Sequence, residues 1–309
     1  MRQRTGHSLG GMRRYTQMSK TRVFIFVEGR DLDPDVYGRL CDTIFQELTI
    51  DYEIVVADRI AGQGGGKSTL IKYFEFLESN NSLLDTSQPD YKLSFFYLDK
   101  DVDDLLGQLR QSAHVVYTQH YCIENYLFIY GDLVSGLATA GSFDISLIRR
   151  HITDQRAWMN RAAICWQEWV SLCLLATKLH LPIPASYRLS QSRLNTPVDA
   201  TTDQTQLADL VSEMEQRSQL SQLSFQRKLK ATYKVVNTIY ANEEFNRLFK
   251  GKWYIAFALR QLELASTGQP FNRNNAADRL WGSLIATMHF DDAWADHFRI
   301  PLREALNRL

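Results

Sequence analysis

Between residues 21 and 117 the chain alternates short apolar runs with longer stretches in which apolar residues recur every three or four positions. Val23-Phe24-Ile25-Phe26-Val27 is continuous, β-branched and aromatic, not alternating, as expected of a parallel strand covered on both faces. Pro34 opens a helix to about Leu48, with Val36, Leu40, Ile44 and Leu48 on one stripe. The pattern then gives a second strand at Ile54 to Ala57 and a second helix at Lys67 to Ser79. A third strand at Leu93 to Leu98, a short helix at Asp103 to Arg110 and a fourth strand at His114 to Tyr117 complete the series. This β-α-β-α-β-α-β order predicts an α/β fold, a parallel sheet flanked by helices with right-handed crossovers, whose ligands belong at the carboxyl ends of the strands.

After about residue 124 the strand pattern stops. Helical periodicity covers 124–138, 143–151, 155–180, 203–219, 225–240, 252–265, 274–288 and 300–309. Leu181-Pro182-Ile183-Pro184 ends one helix, and the polar stretch 189–206 predicts a loop. Trp166 and Trp169, surrounded by Ile164, Val170, Leu172, Leu174 and Leu175, are expected in the core or at a dimer contact. The first twenty residues carry Arg2, Arg4, Arg13, Arg14 and Lys20 with no acid, which predicts a flexible basic arm. The expected organisation is therefore an arm at 1–20, an α/β catalytic domain at 21–138, and an all-helical region at 139–309 for dimerisation, partner and substrate contacts.

Composition changes this picture little. A length of 309 residues exceeds one ordinary core, and 45% hydrophobic with 23% charged residues is ordinary globular usage. The 35 basic and 35 acidic residues cancel, so a nucleic acid has to be held by a local basic surface, not by the global field. Four cysteines without CxxC spacing argue against zinc or a disulfide framework. No apolar run approaches the roughly 18 residues needed to span a bilayer, so no membrane partner is expected and the cytoplasm is the default compartment.

The candidate chemistry is acidic. Glu28 directly follows the first strand, and Asp99 and Asp101 follow the third, so a parallel sheet sends them to one edge. Carboxylates gathered at one edge repel unless a cation neutralises them, and oxygen donors without His or Cys suit Mg²⁺ or Mn²⁺. Such an ion polarises a phosphoryl oxygen and activates water, which makes phosphodiester hydrolysis the natural reaction. The competing reading of Asp-x-Asp after a strand is a turn and helix cap.

This order, Glu28-Gly29 after one strand and Asp99-x-Asp101 after another, resembles the Toprim domain of topoisomerases, primases and overcoming-lysogenization-defect (OLD) nucleases. Gly64-Gly65-Gly66-Lys67 after the second strand, Ile123-Glu124-Asn125-Tyr126-Leu127 after the fourth and Lys250-Gly251-Lys252 before a late helix narrow the resemblance. With them the chain is similar to the Toprim-like family of bacterial defence proteins found beside AAA-type ATPases, which includes the effector subunit of the PARIS anti-phage system. The resemblance covers about residues 21–130 and the patch near 252. It implies Glu28 as general base or metal ligand and Asp99 and Asp101 as metal ligands. OLD-type sequences place an acid four residues after the Glu, where this chain has Leu32 between Asp31 and Asp33; either neighbour substitutes, and Asp31 is counted with the metal ligands. Glu124 either joins them from the fourth strand end or opens a helix favoured by the dipole. The resemblance further implies an ATPase partner that restrains the effector until infection, a homodimer on release, and tRNA as the substrate, with DNA as the OLD-like alternative.

The segment Ala61-Gly62-Gln63-Gly64-Gly65-Gly66-Lys67-Ser68 has the setting of a phosphate-binding loop but Ala where the first glycine is required. A nucleotide-binding regulator, a substrate-phosphate cradle in which Lys67 stabilises transition-state charge, and a structural turn all remain open. Finally, Arg227, Lys228, Lys230, Lys234, Arg247, Lys250, Lys252 and Arg260 fall together with Tyr233, Tyr240, Trp253 and Tyr254 interleaved. Lys228, Lys230, Lys234, Lys250 and Lys252 are the expected nucleic-acid contacts, with aromatic faces for base stacking, against a solvated helix face with core aromatics.

Overall fold

A computed structural model describes residues 6–48, 50–60, 66–86, 91–266 and 272–308. In chain order its helices and strands are α1 (Leu9–Met18), β1 (Val23–Val27), α2 (Asp33–Leu48), β2 (Tyr52–Val56), α3 (Gly66–Ser79), β3 (Leu84–Asp85), β4 (Lys92–Leu98), α4 (Asp103–Leu106), β5 (Val115–Tyr117), α5 (Ile123–Tyr130), α6 (Leu133–Gly141), α7 (Ile145–His151), α8 (Gln155–Cys165), α9 (Gln167–Lys178), α10 (Gln204–Ser218), α11 (Gln222–Ala241), α12 (Tyr254–Ala265), α13 (Ala276–Thr287) and α14 (Asp296–Leu306). The chain divides into two compact units, Met1–Asp99 with Leu109–Thr118 and His289–Leu309, and Lys100–Gln108 with Gln119–Met288. Along the sequence the units change over after residues 99, 108, 118 and 288 and not near 138, and the last helix belongs to the first unit.

The first unit is built on a five-stranded, mostly parallel sheet. β1 lies between β2 and β4, with Phe26 opposite Val55 on one side and Phe96 on the other. β5 runs parallel along the end of β4, and the two-residue β3 pairs antiparallel with its start. β3 is too short to show any alternation in the sequence.

Every residue of β1 and β4 is buried, which explains the continuous apolar run of β1 and the mostly apolar composition of β4, broken only by Lys92 and Ser94. On one face Phe26 stacks on Phe96 at 4.8 Å between ring centroids, under Tyr73 and Phe74 of α3. On the other, Tyr97 stacks on Tyr37 of α2 at 4.7 Å, and Phe298 of α14 meets both rings edge-on. The Tyr97 hydroxyl donates to Phe298 O at 3.0 Å, so the ring that ties α14 to the sheet is also satisfied as a polar group. Lys92, the one charged residue within β4, is buried with its ammonium donating to Ser19 O and Thr21 O.

The basic N-terminal segment corrects the expectation of a flexible arm where it is described. Ser8 caps α1 by accepting from Gly11 N, and Met12 is buried in the cluster formed by Phe24, Leu70 and Tyr73. Residues 1–5 of the expected arm lie outside the described residues.

The second unit is helical, as its periodicity predicts, with two expected helices split. The stretch expected at 124–138 breaks at Gly131, where a Cβ would stand 2.7 Å from Leu127 O and 2.8 Å from Leu284 O, so the close approach of α13 requires glycine there. Asp132 then caps α6 by accepting from Ser135 N. The stretch expected at 155–180 breaks at Trp166, whose indole N–H donates to Val198 O. Trp166 and Trp169 are core residues of this unit, with Trp166 5.3 Å from the Trp253 ring. The short helix expected at 103–110 stops at Leu106 because Gly107 adopts the left-handed conformation at φ 66°.

If α1 docks as described, Met12→Ala lowers unfolding free energy by about 2–5 kcal/mol in a urea titration. A freely moving arm gives no change in the same measurement.

Candidate functional site

Parallel register delivers the first two acids together. Phe26 pairs with Phe96, so β1 and β4 finish side by side, and the next residues beyond them are Glu28 and Asp99. The Asp99 backbone N–H donates to Glu28 Oε1 at 2.9 Å, a bond to a charged acceptor that fixes the carboxylate at the carboxyl edge of the sheet. Both residues are half-buried.

Gly29 and Asp33 complete this edge. The Gly29 N–H donates to Asp33 Oδ2 at 2.7 Å, and a Cβ on Gly29 would lie 2.7 Å from Asp33 Oδ1. The glycine after Glu28 is therefore set by the close approach of a buried carboxylate, not by an unusual backbone angle. Spacing leaves Asp31 and Asp33 as alternatives, and the structure turns Asp33 inward. The Asp31 side chain is 87% exposed and lies 3.5 Å from the exposed Arg30. The signal for Asp33 was its place immediately before Pro34, where a helix starts and a carboxylate is favoured by the dipole.

Lys67 stands in the first turn of α3, the helix that follows β2 out of the same sheet edge. Gly66 before it has φ 68° with open space around its α-carbon, so the start of the helix does need glycine's freedom. Gly64 and Gly65, and with them the body of the expected phosphate loop, lie outside the described residues.

Asp101 belongs to the second unit, with only Lys100 between it and Asp99 along the chain. Its φ of 51° turns the chain in a conformation that Asp tolerates better than most residues, and its N–H donates to Tyr121 O at 2.7 Å. Lys100 is buried. Its ammonium donates to Gln119 O and lies 3.7 Å from Asp104, which also receives Arg247 at 3.0 Å. Burial holds the Lys100 ammonium below its ordinary pKa, with the Asp104 charge opposing that shift. Burial, with the Asp101 charge added, pushes the Tyr121 hydroxyl well up.

Glu124 opens α5, as one of its two readings expected, with its side chain 3% exposed. Oε1 lies 3.1 Å from Lys252 Nζ, while Oε2 is buried and has no hydrogen-bond partner among the described residues. Gly251 is pressed against the α5 backbone, where any Cβ would collide with Asn125 N and Glu124 C, and its N–H donates to Asn125 Oδ1 at 3.1 Å. The Lys-Gly-Lys patch is thus a packing motif joined to the start of α5. Lys250 donates to Tyr187 O at 3.0 Å.

The edge acids offer hard oxygen donors, the donor chemistry that suits Mg²⁺ or Mn²⁺. Among the described residues no group of three or more His, Cys, Asp or Glu is gathered in an arrangement able to hold a metal ion. The structure brings Glu28 and Asp99 together and adds Asp33 on the Gly29 amide. Also among the described residues, no helix is long and apolar enough to cross a membrane. No protein-family model matches the chain, and no curated protein sequence matches it either.

The Gly29 to Asp33 contact is testable by stability. Gly29→Ala forces the buried carboxylate to shift and costs about 1–3 kcal/mol in chemical denaturation, whereas Asp31→Ala stays within about 0.5 kcal/mol of wild type.

Proposed function

We propose that this chain is a Toprim-type, magnesium-dependent phosphodiesterase, an endoribonuclease effector that cuts tRNA once an AAA-type ATPase partner releases it as a homodimer. The observation that carries the reading is the Glu28 to Asp99 pair at the carboxyl edge of a buried parallel sheet, the position where open α/β sheets bind their ligands. The order of the motifs along the chain supports the same assignment, and the ATPase, the dimer and the tRNA rest on that resemblance.

Glu28 and Asp99 are the ligands the sheet edge supports, and the sequence pattern adds Asp101. A bound Mg²⁺ or Mn²⁺ supplies Lewis-acid polarisation of the phosphoryl oxygen and a more acidic water. Glu28, oriented by the Asp99 amide, accepts the proton of the attacking water as it adds to phosphorus. Lys67 places a cation for the charge that accumulates on the phosphoryl oxygens as the leaving oxygen departs. Glu124, with one oxygen on Lys252, is assigned to holding that lysine and not to the ion.

Purified chain incubated with Mg²⁺ is expected to convert tRNA to discrete fragments, with chelation abolishing the reaction. Glu28→Gln and Asp99→Asn are expected to slow it by about 10²–10⁴-fold, and Lys67→Ala by about 10²-fold. Nicking of plasmid DNA with intact tRNA transfers the reading to a DNA nuclease. Undiminished cleavage by both acid variants refutes the site.

A further inference from the structure

Several cations in the second unit are answered by acids: Arg156, Arg217, Arg247 and Arg260 each lie against an Asp or Glu. Helix α11 is different. It runs for 20 residues without one acidic residue. Phe225, Thr232, Val236, Ile239 and Tyr240 form its buried side. At 100° per residue, Arg227, Lys230 and Lys234 fall together on the opposite side, all exposed. Their spacing of three and four residues sets three positive charges along about 10 Å of helix. None of the three side chains makes an ion pair or a hydrogen bond among the described residues. Like charges at this spacing destabilise a helix, so an unneutralised row is a cost that a polyanion removes.

The aromatic residues of the same region settle how such a polyanion is touched. Tyr240, Trp253 and Tyr254, expected from the sequence to offer stacking faces, are buried in the core of the unit, and Tyr233 is half-buried. Lys250 and Lys252 are engaged by Tyr187 O and Glu124. What remains exposed on this face of α11 among the described residues is charge and not aromatic surface, which matches phosphate better than exposed bases.

We propose that the Arg227-Lys230-Lys234 face of α11 is a track for the phosphodiester backbone of RNA, which it holds without reading or stacking the bases. That the polyanion is RNA rests on the nuclease reading; the track itself rests on α11. Contact by backbone alone makes binding independent of sequence and steeply dependent on salt.

The test uses the full chain carrying Glu28→Gln, so that RNA stays whole, with a fluorescein-labelled RNA hairpin followed by anisotropy across a KCl series. Replacing Arg227, Lys230 and Lys234 together by Gln is expected to reduce the slope of log K against log[KCl] by about 2 to 3. Binding at about 0.1 M KCl is expected to weaken tenfold or more. Arg217→Gln, which removes a cation already paired with Glu213, leaves the slope unchanged. Circular dichroism confirms that the triple variant retains its helices. An unchanged slope in the triple variant overturns the track, as does binding to phosphatidylserine vesicles through these residues with none to RNA. The two claims separate cleanly. Cleavage by the otherwise wild-type chain with an unchanged slope removes the track and keeps the nuclease; a lost slope in a chain that cuts no RNA does the reverse.

Discussion

Parallel pairing of Val23–Val27 with Lys92–Leu98 is the constraint on which the rest of the first unit depends. Both strands are buried on both faces, so their register is fixed by aromatic packing on two sides at once: Phe26 on Phe96 beneath α3, and Tyr97 on Tyr37 beneath α2 and α14. A one-residue slip would exchange those faces and bury the wrong side chains. Because the register cannot slip, the residues that follow each strand are delivered to the same place, and the Asp99 amide reaches Glu28 Oε1. The chemistry at the edge is thus a consequence of hydrophobic packing inside the sheet.

This is why strands β1 and β4 and the first acids were legible in sequence. Two-face burial writes itself as runs of Val, Ile, Leu, Phe and Tyr, with Ser94 the one polar residue across Val23–Val27 and Leu93–Leu98, and the acids stand directly after the runs. Other features have no local signature. Leu84–Asp85 forms a strand only because β4 offers it an edge, and α14 joins the sheet through Phe298, 201 residues from its partner Tyr97. The break at Gly131 answers a carbonyl of Leu284, again distant in sequence. Met12 docks a segment whose composition alone resembles a solvated basic arm. The choice between Asp31 and Asp33 stays open in the sequence because spacing cannot show which of two neighbouring carboxylates turns inward.

The basic and aromatic residues of the second unit show the same separation of composition from position. Local density of Lys, Arg, Tyr and Trp predicts one continuous nucleic-acid surface, but the fold divides it. Tyr240, Trp253, Tyr254 and Lys250 serve the interior, Lys252 serves the buried Glu124 carboxylate, and Arg227, Lys230 and Lys234 of α11 make no ion pair among the described residues. Burying Glu124 next to a lysine relieves the cost of desolvating a carboxylate, which gives the Lys-Gly-Lys patch a structural reason independent of any substrate.

The central claim is that the sheet edge binds a divalent cation through Glu28, and its most direct test is calorimetric titration of the purified chain with Mn²⁺, without any substrate. The account predicts saturable binding that Glu28→Gln abolishes and Asp31→Asn leaves intact. Equal Mn²⁺ affinity in wild type and Glu28→Gln would contradict it.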